Sequence, residues 1–303
     1  MPTVLPTART IRCAAPVDLR LTLGPLCRGS GDPTMRFAAD GVWRATRTPE
    51  GPATIHLRGG GDHVDVEAWG PGSWWAVDHA AALIGADDRE DGFEARHPVV
   101  ADLRRRLRGL RIGRSHAVVE AMLPTILEQK VQGILAKRSY HRLVRALAEP
   151  APGPAPLLLP PEPARVAALP YHVFHRFNVE RRRADTVRLV ARHARRLEET
   201  TAMSAADATR RLRALPGIGP WTAAEVALVA LGDADAVSVG DYHVPHHVAW
   251  ALAGEPRADD ARMLELLEPY RGHRGRVIRL VVAGHPGPPR FGPRLPLKSI
   301  AGS

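Results

Sequence analysis

The chain has 303 residues, 45% hydrophobic and 5% aromatic, with a net charge of +10, which is enough for a sizeable core and for two domains. No run of about eighteen apolar residues occurs, so no membrane span is expected, and the N-terminal MPTVLPTARTIRC lacks the continuous apolar core of a secretory signal. Cys13 and Cys27 are too few for an iron–sulfur cluster or a four-cysteine zinc site; as two thiols they suit a reducing cytosol.

In chain order, residues 8–70 read as strands and turns. TIRCAAPVDLRLTL and MRFAADGVWRATRT carry short apolar alternations, and ATIHLRGGGDHVDVEAWG reads as a hairpin with three glycines between its strands. SWWAVDHAAALIG, 73–85, reads as a helix with Ser73 as N-cap. From about residue 101 the apolar spacing becomes helical. Pro124 is expected to divide SHAVVEAMLPTILEQKVQGILAKRSYHRLVRALAE into two helices. PAPGPAPLLLPPEP, 150–163, is a proline-rich connector, ERRRADTVRLVARHARRLEE a basic amphipathic helix, and AADATRRLRAL a short helix. Further helices fit 242–253, 259–268 and 270–283, followed by an extended arm. This is a mainly α pattern with an N-terminal α+β domain over 1–100, a helical domain over 101–290 and a C-terminal tail over 291–303. No internal repeat is present.

The charge is unevenly placed. Residues 1–100 carry 10 Arg/Lys and 13 Asp/Glu, whereas residues 101–303 carry 32 and 19. Such a basic half suits a polyanion partner. A genome rich in arginine codons would give the same count without one.

The stretch LPGIGPWTAAEVALVALGDADAVSVGDYHVP, 215–245, carries the most chemistry. Gly217 and Gly219 flank Ile218, so the backbone can turn tightly and approach a ligand. Pro220 starts the next helix, whose free N–H groups and positive end then face the turn and suit a phosphate. Phosphate contacts position a nucleic acid without reading its sequence. About twenty residues on stands a lone carboxylate, Asp241.

Leu215-Pro-Gly-Ile-Gly-Pro-Trp-Thr-Ala223 followed by Gly240-Asp-Tyr-His-Val244 resembles the helix-hairpin-helix–Gly/Pro–Asp (HhH-GPD) DNA glycosylases, and is most similar to their 3-methyladenine DNA glycosylase II branch. VVEAMLPTILEQKVQ, 118–132, resembles the helix that carries the strand-invading wedge, and EPYRGHRGRVIRL, 268–280, the late helix with a Pro-aromatic-Arg start. The match is good over 100–285 and loose before it. The resemblance implies a helix-hairpin-helix glycosylase fold, a cytoplasmic, nucleoid-associated monomer, and duplex DNA with a damaged base as partner. It also implies extrusion of the nucleotide and hydrolysis of its glycosidic bond. Asp241 is the catalytic candidate, because a fixed carboxylate stabilises the developing oxocarbenium ion and can orient or deprotonate water. A helix cap is the structural reading of the same residue.

The other implied roles follow position by position. Leu215, Gly217, Ile218, Gly219 and Thr222 belong to the DNA-binding hairpin, Gln129 to the wedge, and Arg271 to the DNA-binding start of the late helix; Lys130 stands where the resemblance implies a bulky apolar intercalator, and is either the wedge, through its stem, or a solvated lysine. Trp221 occupies the place where the strand-cutting branch has a Schiff-base lysine, so imine chemistry is not expected. It either stacks on an extruded base or packs as a core residue. Glu225 and Arg279 stand where the alkylpurine branch has pocket aromatics. They either pair with each other or meet the base, cationic or neutral. Phe174, His175 and Phe177 could line the pocket mouth or belong to the core. His243 is a candidate to orient Asp241, to contact DNA or to line the base pocket. Without nearby cysteines, His243, His246 and His247 do not suggest a metal. No organic cofactor is implied, and a monovalent cation under the hairpin carbonyls is the one ion the resemblance allows.

Overall fold

The fold was analysed in a computed structural model that describes residues 5–147 and 149–289. The arm expected beyond residue 283 lies mostly, and the tail over 291–303 wholly, outside the described residues. Among the described residues no helix is long and apolar enough to cross a membrane.

The chain opens with β1 (Thr7–Val17), a short helix α1 (Leu19–Leu23), then β2 (Met35–Ala38), β3 (Gly41–Thr48) and β4 (Gly51–Trp69). They form one antiparallel sheet in the order β1-β4-β3-β2. The expected hairpin around Gly59, Gly60 and Gly61 is instead one bent strand. Its first half pairs with β3 (Val42 opposite Leu57) and its second half with β1 (Thr7 opposite Ala68). The three glycines, at φ +92°, +147° and +71°, make the bend with backbone conformations closed to most side chains. α2 (Ser73–Asp78) and α3 (Ala80–Leu83) replace the single expected helix. Ser73 is the first helical residue after Gly72 rather than the cap, and its hydroxyl bonds Thr7 Oγ1 at 2.9 Å.

The helical part comprises α4 (Pro98–Arg106), α5 (Val118–Glu128), α6 (Gly133–Leu147), α7 (Pro163–Ala168), α8 (Tyr171–His175), α9 (Arg181–Arg192), α10 (Ala194–Glu198), α11 (Ala205–Arg213), α12 (Pro220–Val226), α13 (Val244–Ala253), α14 (Asp260–Leu267) and α15 (Arg274–Gly284). A π turn, Ala227–Leu231, continues α12. Pro124 does not divide α5. Every residue from Ala121 to Leu127 is buried, and that packing outweighs the lost backbone bond, while Thr125 Oγ1 donates to Ala121 O at 2.8 Å. The break comes later, at Lys130 with φ +54°.

Of the hydrophobic cores among the described residues, three position the site. One lies under the sheet, with Ile55, Val64, Leu23 and Val77. A second joins α5, α6, α9, α11 and α12 through Met122, Leu143, Val187, Leu212 and Ala223. A third packs Val100 and Leu103 of α4 against Val248, Met263 and Val277, so the chain already enters the C-terminal helices before residue 101. Glu120 of α5 ties the sheet to the helices. Its carboxylate accepts from Arg44 Nη2 at 2.9 Å, Thr46 Oγ1 at 2.9 Å and Arg47 N at 2.6 Å.

Candidate active site

The glycine turn joins α11 to α12. Ile218 N donates to Leu215 O at 3.1 Å, closing the turn, and Gly217 stands at φ +88° against Thr186 of α9, where any Cβ would collide. Ile218, 5% exposed, anchors the turn in the helical core, and the partly buried Leu215 packs against the same cluster. These two apolar residues therefore hold the hairpin rather than reach outward. Gly219 is extended, at φ −89°, and a Cβ there would meet nothing within 4 Å. Pro220 then starts α12, and the first N–H groups of that helix have no helical partner.

Gln129, at the end of α5, braces this turn. Its Nε2 donates to Gly217 O at 2.9 Å and to Thr222 Oγ1 at 2.8 Å. Thr222 is 2% exposed, so its side chain is a support for the turn and not an outward contact. Sequence spacing could not reveal this brace, because Gln129 and Gly217 are 88 residues apart. Leu215 O and Gly217 O each accept one hydrogen bond, from Ile218 N and from Gln129 Nε2. Among the described residues no cluster of His, Cys, Asp or Glu could hold a metal. Lys130 is exposed at the corner between α5 and α6, and Arg271 is exposed and paired with Glu268 at 2.6 Å.

Asp241 lies beside the turn, and its carboxylate takes three N–H donors. Oδ2 accepts from Trp221 Nε1 at 2.9 Å, and Oδ1 from His243 N at 2.7 Å and Val244 N at 2.9 Å. It therefore satisfies the N–H groups at the start of α13, whose N-cap is His243, and is fixed in orientation at the same time. His243 contributes its backbone to Asp241. Its exposed ring lies edge-on to Tyr242, 4.9 Å between centroids, so the orienting role expected of its side chain belongs to its main chain. The loop before Asp241 is pinned: Gly240 N donates to Asp260 at 3.0 Å, Asp241 N to Ser238 O at 3.1 Å, and Arg276 N to Ala234 O at 2.9 Å.

Glu225 lies one turn after Trp221 on α12. No ion pair joins it to Arg279. Arg279 Nη2 instead donates to Leu21 O at 2.7 Å, and burial draws its pKa down to about 10, with the charge of Glu225 acting the other way. Glu225 accepts from Ser238 Oγ. Burial raises the pKa of Glu225. The charges of Asp241 and Glu128 raise it further, against the Ser238 bond and the positive charge of Arg28. Arg28 and Glu128 were invisible in the sequence reading. Arg28 follows α1, its Nη1 lies 3.5 Å from Glu128 Oε1, and its backbone is held by Asp32 Oδ2 at 2.6 Å and His141 Nε2 at 2.9 Å.

Phe174 is not at a pocket mouth. It is fully buried in α8, and Phe177, just past the end of α8, is 8% exposed in the same helical core. His175 is partly exposed and lies edge-on to Tyr171, 5.7 Å between centroids.

No protein-family model matches the chain. A 3-methyladenine DNA glycosylase from Archaeoglobus fulgidus has a similar structure, with TM-score 0.78 at 18% identity over 90% of this chain and 97% of that one. An 8-oxoguanine glycosylase/lyase from Clostridium acetobutylicum, solved in complex with double-stranded DNA, is similar at TM-score 0.67 and 12% identity over 93% and 97%. The chain thus has the fold of the HhH-GPD DNA glycosylases, mainly helical with a small antiparallel sheet. In sequence it is 29% identical over 121 residues to the Bacillus subtilis protein named "Putative DNA-3-methyladenine glycosylase YfjP". That match spans 39% of this chain and 41% of the relative.

Proposed function

We infer that the chain is a monofunctional DNA glycosylase that extrudes a damaged, N-alkylated purine from duplex DNA and hydrolyses its glycosidic bond. On this reading the boundary expected at residue 100 moves back to the start of α4, at Pro98, with an α+β domain ahead of it and the glycosylase domain from α4 onward. The observation that carries the reading is Asp241, locked by three N–H donors beside a glycine turn that leaves helix N–H groups free. The turn grips a phosphate, Trp221 stacks on the extruded base, and Asp241 faces the charge that builds on the sugar. A non-catalytic DNA-binding protein would lose affinity by placing a fixed carboxylate beside phosphates, even one that also holds the N–H groups at the start of α13. A second reading, excision of an oxidised or deaminated base, is favoured by the polar Glu225 and Arg279 at positions where the resemblance leads one to expect aromatics. The test is incubation with a panel of single-lesion duplexes, followed by hot alkali to cut at abasic sites. Cleavage at an N-alkylated purine is expected, and an intact panel overturns the reading.

Trp221 has no amine to form an imine, so borohydride is expected to trap no covalent complex on DNA and the abasic strand is expected to stay intact. Efficient trapping by the pure protein contradicts the monofunctional assignment.

The two hairpin glycines should separate fold from binding. Gly219→Ala keeps its melting temperature, because its methyl meets open space, yet weakens binding to all duplexes alike. Gly217→Ala also costs about 1–3 kcal/mol of stability, because φ +88° and Thr186 both resist a Cβ. A Gly219→Ala variant with changed lesion preference and unchanged nonspecific affinity would refute the phosphate role.

A further inference from the structure

A cavity of about 430 Å³ lies between the sheet and the helices. Trp221, Glu225, Asp241 and Gln129 do not line it, so it is separate from the candidate active site. Much of its wall is apolar, from Leu123 and Ile126 of α5, Val166 of α7, and Val187 and Val190 of α9. Trp75 of α2 and the following His79 add stacked rings, 3.9 Å between centroids. His116, just before α5, stands edge-on to both at 6.1 and 5.1 Å. It holds φ +52°, a left-handed conformation uncommon for a residue with a side chain. Glu198 of α10 brings a carboxylate beside this residue. Its Oε2 accepts from Val118 N at 3.0 Å and its Oε1 from Val119 N at 2.8 Å. A carboxylate has about four lone-pair sites, so capacity is left over. Among the described residues no cation pairs with Glu198, whereas Glu120, the other carboxylate of the cavity, is held by Arg44, Thr46 and Arg47. Of the two arginines that line the cavity, Arg47 donates to Pro160 O at 2.7 Å and to Glu149 at 3.3 Å. Arg195 is exposed and forms no ion pair among the described residues.

We propose that this cavity binds a small monocationic amine with a flat apolar body, its ammonium held by Glu198 and the Trp75–His79–His116 rings and its body lying along Leu123, Val187 and Val190. The volume falls in the range of small-molecule sites, about 300–1,000 Å³. Water in it meets few polar partners along the apolar wall, so an apolar body that displaces it gains affinity. An ammonium supplies the donors that Glu198 lacks, and aromatic faces attract cations. An anionic ligand would meet the carboxylate unfavourably. Titration adds a signature. Burial raises the pKa of Glu198 to about 7 against its two N–H bonds, and the charge of Glu120 adds to that. A cation favours the ionised carboxylate, so amine affinity rises as pH passes through about 7, while the ammonium keeps its proton up to about pH 10. Burial, with the charges of Arg114 and His79, lowers His116 to about 4, so that ring stays neutral over the same window. An uncharged ligand of the same shape gains nothing from ionised Glu198 beyond an ordinary hydrogen bond.

The experiment titrates the full-length protein by calorimetry with tryptamine and with its uncharged isostere tryptophol. Tryptamine is expected to bind with a Kd below about 1 mM, the range for a ligand of about a dozen non-hydrogen atoms. Tryptophol should bind about tenfold or more weakly near pH 8. The gap should narrow towards about pH 6, where Glu198 is protonated. Glu198→Gln should bring tryptamine down to the affinity of tryptophol and remove the pH dependence. His116→Gly suits φ +52°, so it keeps the fold while removing one ring, and should weaken both probes. Asp241→Asn should bind tryptamine as wild type does, which excludes the candidate active site as its place. If tryptamine does not bind wild type at about 1 mM, if the two probes bind alike at every pH, or if Asp241→Asn removes binding and His116→Gly does not, the proposal is overturned. If Glu198→Gln fails to fold, the wild-type pH profile and His116→Gly decide. The lesion panel tests the glycosylase reading separately, so either conclusion can fail while the other stands.

Discussion

Asp241→Asn is expected to lower the rate of base release on the order of 10²–10³-fold, the usual cost of removing one preorganised electrostatic group from a transition state. Binding to an intact or abasic duplex should hold or tighten, because a negative charge near phosphates is gone. The hydrogen bonds predict a further detail. The asparagine oxygen can still accept from His243 N and Val244 N, but its NH₂ then meets the Trp221 Nε1 donor, which stood 2.9 Å from the lost oxygen. Two donors face one another, and the variant should lose about 1–2 kcal/mol of stability. Trp221→Phe combined with Asp241→Asn removes that clash and should recover part of the loss without recovering activity. Single-turnover rates and melting curves on the three variants check this. Release within about tenfold of wild type in Asp241→Asn would remove Asp241 from the catalytic role.

What could be read in advance follows how local each feature is. The turn and Asp241 lie within one stretch of about thirty residues, and helix N-terminal chemistry is local, so both were legible. The bent β4 was not. Three glycines between alternating runs fit a hairpin and a bend equally, and only the distant partners β1 and β3 decide. Pro124 misled for a related reason, because burial of its whole turn outweighs its local preference. Phe174 shows the same limit, since an aromatic beside histidines reads alike in a core and at a pocket mouth. Glu225 and Arg279 were legible as unexpected residue types, but their actual partners, Ser238 and Leu21, were not. Gln129, Glu128 and Arg28 act through contacts between remote segments, which no spacing encodes.

The largest stability effect is expected at Arg276, because its partners join the N-terminal segment to the helix behind the site. Its side chain is 2% exposed and forms a bidentate pair with Asp88, at 2.7 and 2.6 Å. Nη2 also donates to Arg89 O at 3.1 Å, while Asp88 accepts from Ile112 N at 2.9 Å. Removing one partner of such a pair leaves an uncompensated buried charge, so Arg276→Met and Asp88→Leu should each cost about 3–5 kcal/mol. The double variant should cost clearly less than the two singles together, because it buries neither charge alone. Arg276→Lys keeps the charge but loses the two-pronged geometry, and should fall between wild type and Arg276→Met. The effect should reach the site. Arg276 N holds Ala234 O at the start of the loop that carries Ser238 and Asp241, and Arg279 lies one turn further along α15. Any Arg276 variant that folds should therefore release bases more slowly than its melting temperature alone explains. Urea unfolding of the two singles and the double gives the coupling directly. Singles that lose less than about 1 kcal/mol, or losses that simply add, would show that this pair behaves like a solvated one and does not hold α15 in place.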